Sequence, residues 1–215
     1  MSDLWPAQAE SVAPTAVGNE VLALADWRRA VAELYAAARR EPDPQRGHEL
    51  WRLGRDELFM RHPQSPLTSD DSRRATGLRY YPYDPALRFT AELRPGAGPH
   101  TLRPDTSDGH VRLSRVGHVS IAELDVDLGV WWLAHYGGGL FVPVRDGTAG
   151  SETYGGGRYL LDTIKGADLG QQDDRLVIDF NFLYHPSCFY NSAWVCPLAP
   201  EENSTPVPIR AGERL

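Results

Sequence analysis

A mainly β fold is predicted here, an antiparallel barrel or sandwich of about eight short strands carrying an N-terminal helical hairpin (α+β by content). Three observations predict it. The chain of 215 residues holds 20 Gly and 17 Pro, which supplies many tight turns. From Gly77 onward the apolar residues alternate with polar ones at a period of two, the signature of strands with one buried face. A three- and four-residue period is confined to the stretch before His62.

The elements follow in order. Residues 1–18 are rich in Ala, Ser and Pro and lack periodicity, so they read as a flexible arm ahead of a single domain over 19–215. Leu24, Trp27, Val31, Leu34, Tyr35 and Ala38 form the apolar stripe of a first helix. Proline disfavours the helical conformation in the residue before it, so this helix stops at Glu41-Pro42-Asp43-Pro44. A second helix is expected from about Gly47 to Arg61, with Leu50, Trp51, Leu53, Leu58 and Phe59, and the two make a helical hairpin over 19–62. The β part, 77–215, begins with the alternating run Leu87, Phe89, Ala91 and Leu93. Asp108-Gly109 precedes Val111 to Val116, and Gly117 separates that run from Val119 to Leu124, which reads as a tight hairpin. Leu128 to Tyr136 presents bulk to both faces through Trp131 and Trp132, and Gly137-Gly138-Gly139 turns it into Leu140 to Val144. Arg145-Asp146-Gly147-Thr148 marks the next turn. Arg158 to Ile164 and Leu176 to Tyr184 are the last long strands, and Val207 with Ile209 points to one edge strand in the tail.

Composition excludes several functions. Lys plus Arg is 22 against 29 Asp plus Glu, a net charge of −7, which repels phosphate backbones and anionic membranes. No nucleic-acid or membrane partner is therefore expected. The N-terminal stretch has neither a basic start nor a long apolar core, and no window approaches 18 apolar residues, so a cytoplasmic protein is expected. Two cysteines make no disulfide framework.

The chemistry concentrates between Val142 and Glu202. On an extended strand Asp179 and Asn181 share one face, either solvated or lining a hollow where polar groups fix a ligand. The Tyr154-Gly155-Gly156-Gly157-Arg158 stretch leads into a strand and lacks the spacing of a nucleotide-binding loop, so it reads as a hairpin needing positive φ. Arg158 is either paired with Asp162, which shares its strand face, or the anchor of a planar anion. His185, Cys188 and Cys196 lack the spacing of a zinc site, and no metal is expected. Cys188 is either a buried inert thiol or a nucleophile activated by His185. Tyr184, Phe189, Tyr190 and Trp194 crowd the same segment as packing or a lid.

One ordered series of motifs carries a resemblance. It comprises Ser65-Pro66-Leu67, Gly77-Leu78-Arg79-Tyr80-Tyr81-Pro82, and the run from Thr153 to Leu160. It continues with Asp179-Phe180-Asn181, Tyr184-His185-Pro186-Ser187-Cys188, and Cys196-Pro197-Leu198-Ala199-Pro200 with Glu202-Asn203. From about Gly47 to the last residue the sequence resembles bacterial proteins grouped as domain of unknown function 1684. The resemblance implies no activity. It implies that Arg145, Asp146, Thr153, Tyr154, Arg158, Asp179, Asn181, Cys188, Asn191 and Asn203 match the family's motif positions. Family members often carry Asn where this chain has His185, which weakens a shared His185–Cys188 mechanism.

The expected function is small-molecule binding in a polar pocket formed by residues 145–203, by a cofactor-free or cofactor-dependent route that the residues leave open. Arg145, Asp146, Tyr154, Arg158, Asn181, Tyr190, Asn191 and Asn203 are the candidate ligand-binding residues. The rival expectation is a hydrolase or transferase using Asp179 or Cys188, with His185. A third is a non-catalytic homodimer whose face is the helical hairpin and the Trp-rich strand.

Overall fold

The computed structural model describes residues 19–96, 100–106, 109–134 and 137–215. The N-terminal arm, Asp108 of the Asp108-Gly109 turn, and His135 and Tyr136 of the turn after the Trp-rich run lie outside the described residues. Two α-helices, α1 (Asn19–Arg40) and α2 (Pro44–Arg61), form the predicted hairpin. The second helix starts three residues earlier than the sequence suggested. Asp43 accepts hydrogen bonds from the amides of Gln45 (2.9 Å) and Arg46 (3.4 Å), and Pro44 occupies the first helical position. Pro42 thus closes one helix and Pro44 opens the next, where its missing N–H costs nothing. A short helix, α3 (Arg73–Thr76), follows.

The strands are β1 (Arg88–Ala91), β2 (Thr101–Leu102), β3 (Asp105–Thr106), β4 (Gly109–His110), β5 (Arg112–Ile121), β6 (Val126–Ala134), β7 (Gly139–Val144), β8 (Arg158–Asp162), β9 (Gln171–Gln172) and β10 (Arg175–Asp179), before a last helical turn, α4 (Ser187–Tyr190). Two antiparallel sheets hold eight of them, a five-stranded sheet in the order β2-β5-β6-β7-β8 and a three-stranded sheet in the order β1-β10-β9, while β3 and β4 pair as a ribbon. The sheets do not close into a barrel; the sandwich alternative is the one realised.

The larger sheet is apolar on both faces. Val126, Leu128 and Val130 of β6, with Val142 and Val144 of β7, share a cluster with Ala91, Ile178 and Phe180 of the smaller sheet and its end. The alternate residues Trp131, Leu133 and Phe141 pack with Tyr35, Ala38 and Trp51 of the helical hairpin. Trp131 is therefore core, whereas Trp132 is 42% exposed.

Three sequence expectations are corrected, the third being the edge strand of the tail. Gly117 is not a turn. It lies within β5 at a bulge against β6, where a Cβ would sit 2.3 Å from the Arg94 carbonyl. The bulge inserts one residue and so changes the side-chain phase. Leu113, before it, faces the helices beside Leu133, while Val119 and Ile121, after it, face the smaller sheet.

The second correction concerns the last strand, which ends at Asp179 rather than running on to Tyr184. Phe180–Phe182 is a 3-10 turn whose first amides are capped by the Asp179 carboxylate, which accepts from the Asn181 amide at 3.0 Å. The tail forms no regular strand. Instead it threads between two other segments, with Tyr81 N–H donating to Gly212 O (2.9 Å), Arg214 N–H to Arg79 O (3.0 Å), and Glu213 N–H to Leu183 O (2.8 Å). Gly212 is what permits this: its φ is +70°, and a Cβ there would lie 2.3 Å from the Leu183 carbonyl.

Candidate functional site

The tail places Glu213 in the interior, 1% exposed, where four groups converge on its carboxylate. Arg55 of α2 donates at 3.1 Å, the His185 amide donates at 2.6 Å, the Tyr190 hydroxyl donates to the second oxygen, and the His185 ring nitrogen Nδ1 stands 4.0 Å away. Arg55 is wedged between rings, 4.3 Å from the Phe59 centroid and 4.9 Å from that of Tyr184. Burial alone would push the Glu213 carboxyl up, but Arg55, His185 and Tyr190 together hold it below the usual carboxylate range. The carboxylate stays charged because its partners are inside with it.

His185 is the pivot between this buried set and the surface. Its Nε2 accepts from the Tyr154 amide at 3.2 Å, so the proton sits on Nδ1, which has no hydrogen-bond partner among the described residues. Burial, with Arg158, Arg55 and Arg73 adding to it and Glu213 opposing, lowers its pKa to about 4. The imidazole is neutral at physiological pH. Because the unfolded chain takes up this proton near pH 6.5 and the fold refuses it until about pH 4, stability is full above 6.5 and is lost as pH falls through that window. Between pH 7.5 and 5 the wild type is expected to lose about 2 kcal/mol more than a His185→Asn variant, measured by urea titration at each pH.

Above this floor lies an open groove of about 540 Å³ between α3, α4, the Leu78-Arg79 segment and the tail. Arg73, Arg79 and Arg214 stand around it, with the Phe189 and Tyr190 rings as one wall, and His185 and Glu213 beneath. Arg73 is already held by a two-point pair with Asp71 (2.9 and 2.6 Å) and lies 5.4 Å from the Phe189 ring centroid. Arg79 is exposed, and its guanidinium has no hydrogen-bond or carboxylate partner among the described residues. A second, smaller hollow of about 290 Å³ is bounded by Arg103, His110, Val111, Arg112 and Ala134.

Of the candidate catalytic and ligand-binding residues, His185 and Tyr190 line the larger groove, together with Phe189 of the same aromatic segment and Gly77, Leu78 and Arg79 of the motif series. The structure does not bring Arg158, Asp179 and Asn181 together. Arg158, 0% exposed, donates to the carbonyls of Ile209 (2.9 Å), Glu213 (2.9 Å) and Ala211 and to the Asp146 carboxylate (3.1 Å). Asp146 also receives the Thr148 hydroxyl at 2.8 Å and the Ile209 amide at 2.7 Å. Arg158 and Asp146 thus clamp the tail rather than face a ligand. Asp179 pairs with Arg88 at 2.9 Å, and Asn181 exchanges hydrogen bonds with the backbone of Asp84 at 2.9 and 2.8 Å.

The remaining candidates also make internal contacts. Arg145 donates to Gly155 O at 3.0 Å, and Asn191 accepts from the Ala193 amide at 2.9 Å. Asn203 ties β6 to β7, accepting from the Trp131 indole (2.9 Å) and donating to Gly129 O and Pro143 O (both 2.8 Å). The His185–Cys188 dyad is not formed: His185 Nε2 is taken by Tyr154 N–H, and the Cys188 sulfur faces the Tyr154 hydroxyl at 3.9 Å. Among the described residues no three His, Cys, Asp or Glu side chains converge as metal ligands, and no helix is long and apolar enough to cross a membrane.

Sequence reasoning missed Arg55 and Glu213, although signals for both exist. Trp51, Arg55 and Phe59 fall four apart on one helical stripe, and all three are buried. Ile209, Ala211 and Glu213 fall two apart in the tail, and all three are buried. A charge in phase with buried apolar residues needs an interior partner, and each of these two is the other's.

Comparisons with known proteins give a family and a similar structure, and neither carries an assigned chemistry. A family model described as a protein of unknown function (DUF1684) matches residues 74–214 and leaves α1 and α2 outside. No curated protein matches the chain. The solution structure of an uncharacterized protein from Haloarcula marismortui is similar, with 31% sequence identity and a TM-score of 0.54, over 76% of this chain and 90% of that one.

Proposed function

We propose, from the premise that the chain belongs to the DUF1684 family of proteins of unknown function, that it binds a small organic anion in the groove over His185 and Glu213. The observation that carries this reading is the unpartnered guanidinium of Arg79 at the rim of a hollow whose floor holds the unpartnered, buried Nδ1–H of His185. Guanidinium groups match the planar fork of a carboxylate. The Phe189 ring offers an apolar wall to the rest of such a molecule. On a chain of net charge −7, three arginines around one groove, one of them, Arg73, held by Asp71, raise the local concentration of small anions there. Glu213 sits beneath, so the anion is held at the rim by Arg79 and Arg214 rather than deep against the carboxylate.

The test is thermal unfolding with benzoate, succinate and phenyl phosphate, each against sodium chloride of equal ionic strength. At one hundred times its Kd a bound ligand stabilises by about 2.7 kcal/mol, enough to raise Tm by several degrees. The shift should vanish in Arg79→Ala, whose ligand-free Tm stays at the wild-type value because that side chain is exposed and supports no other contact. A shift of equal size in Arg79→Ala, or none with any of the three anions, overturns the proposal.

A further inference from the structure

The floor of the groove holds a donor and an acceptor that the described residues do not join to one another. His185 Nδ1 carries a hydrogen, because Nε2 accepts from the Tyr154 amide at 3.2 Å. That N–H has no hydrogen-bond partner among the described residues, although its side chain is 1% exposed. A carboxylate offers about four acceptor sites. At Glu213 the Arg55 guanidinium and the His185 amide both donate to Oε2, and the Tyr190 hydroxyl donates to Oε1, which leaves an acceptor site on Oε1. The carboxylate stands 4.0 Å from Nδ1, beyond a direct hydrogen bond. A single oxygen placed about 2.8 Å from each side spans a gap of that size. Both residues line the groove.

We propose that this floor binds a hydroxyl group, so that the ligand is a hydroxy carboxylic acid whose carboxylate lies at Arg79 and Arg214, a reading that rests on anion binding in the same groove. The class follows from what one atom has to do there. It must accept from Nδ1–H and donate to Glu213. A carbonyl or carboxylate oxygen only accepts, and it would set its lone pairs against the Glu213 charge. An ammonium only donates, and it would face the Nδ1 hydrogen with its own. A neutral hydroxyl does both.

The receiving groups are already in place. The Tyr154 amide fixes the His185 tautomer, and the Phe189 ring packs on the imidazole with centroids 4.1 Å apart. The Glu213 carboxylate is held by Arg55, Tyr190 and the His185 amide. Little ordering is left for the ligand to impose, so the hydroxyl contact adds to affinity with small loss. An acid without the hydroxyl turns a methylene toward a buried donor and a buried acceptor, and that mismatch is what separates the two ligands.

The test is calorimetric titration of the full chain at neutral pH with butyrate and its three monohydroxy derivatives, and with phenylpropionate and phenyllactate. At least one hydroxy acid should bind about tenfold or more tightly than its parent. In His185→Gln the side-chain carbonyl can still accept from the Tyr154 amide but no donor stands at the Nδ1 position, so the preference should fall to about twofold or less. Arg79→Ala should lose parent and hydroxy acid alike. Parents that bind through Arg79 while no hydroxy acid binds more tightly overturn the hydroxyl site and leave the anion reading standing. If none of the acids binds, or Arg79→Ala binds them as the wild type does, both readings fall. A preference undiminished in His185→Gln defeats the assignment to this floor. Should His185→Gln fail to fold, the Nδ1 nitrogen resonance of His185 in the wild type decides: it must move with the preferred hydroxy acid and stay in place with its parent, and equal movement or none overturns the proposal.

Discussion

Glu213→Ala is expected to remove about 3–5 kcal/mol of folding stability, because it breaks a buried ion pair from one side only. The deleted carboxylate answers the Arg55 guanidinium, the His185 amide and the Tyr190 hydroxyl, all enclosed with it. Without it, a guanidinium 8% exposed is left charged among the rings of Phe59, Trp51 and Tyr184. An orphaned interior charge costs more than the pair was ever worth, so removing both partners is milder than the two single losses added together. The double variant Arg55→Met/Glu213→Leu should therefore recover part of the loss. Urea midpoints at constant slope measure both. A Glu213→Ala loss below about 1 kcal/mol, or singles that simply add in the double, would mean that solvent reaches this carboxylate and that the floor of the groove is not closed.

Arg158→Met carries an effect of similar size, about 3–5 kcal/mol, for a different reason. One guanidinium serves three carbonyl oxygens of the tail and one carboxylate, and methionine fills much of its volume while donating nothing. The Asp146 carboxylate keeps the Thr148 hydroxyl and the Ile209 amide, but loses its counter-charge inside the protein. Arg158→Lys is expected to recover only part, since a single ammonium cannot reach acceptors spread over Ile209, Ala211, Glu213 and Asp146 with the planar fork's geometry. The loss should be local before it is global. Amide exchange at residues 207–213 should accelerate in Arg158→Met under conditions where the β6 core amides remain protected. Uniform acceleration across both regions would show instead that the tail is not a separately releasable clamp.

The two effects meet on one segment, and that bears on what the amino-acid order could reveal. Period-two alternation located the strands, and period three to four located both helices, because those repeats are local properties of the backbone. The Gly-rich connection before β8 was legible too: Gly157 has φ of +89°, and any Cβ there would crowd the Val144 carbonyl at 2.6 Å. Asp179 was legible as important but not in its role. Its neighbour pattern was that of a continuing strand, and only the packing of Phe180 and Phe182 into different clusters bends the chain into the turn that Asp179 caps.

By itself the sequence determined the element types, the sandwich-or-barrel class, the family, and the segment where the thiols and His185 crowd. Tertiary structure alone decided which charges meet. Arg55 and Glu213 are 158 positions apart, and Arg88 and Asp179 are 91 apart. No periodicity spans such distances, because pairing across them is selected by the cost of burying each charge alone and not by anything in its neighbours along the chain. The sequence placed Arg158 in a pocket with Asp179, whereas the fold spends that guanidinium on holding the tail, and the tail in turn brings Glu213 under the groove.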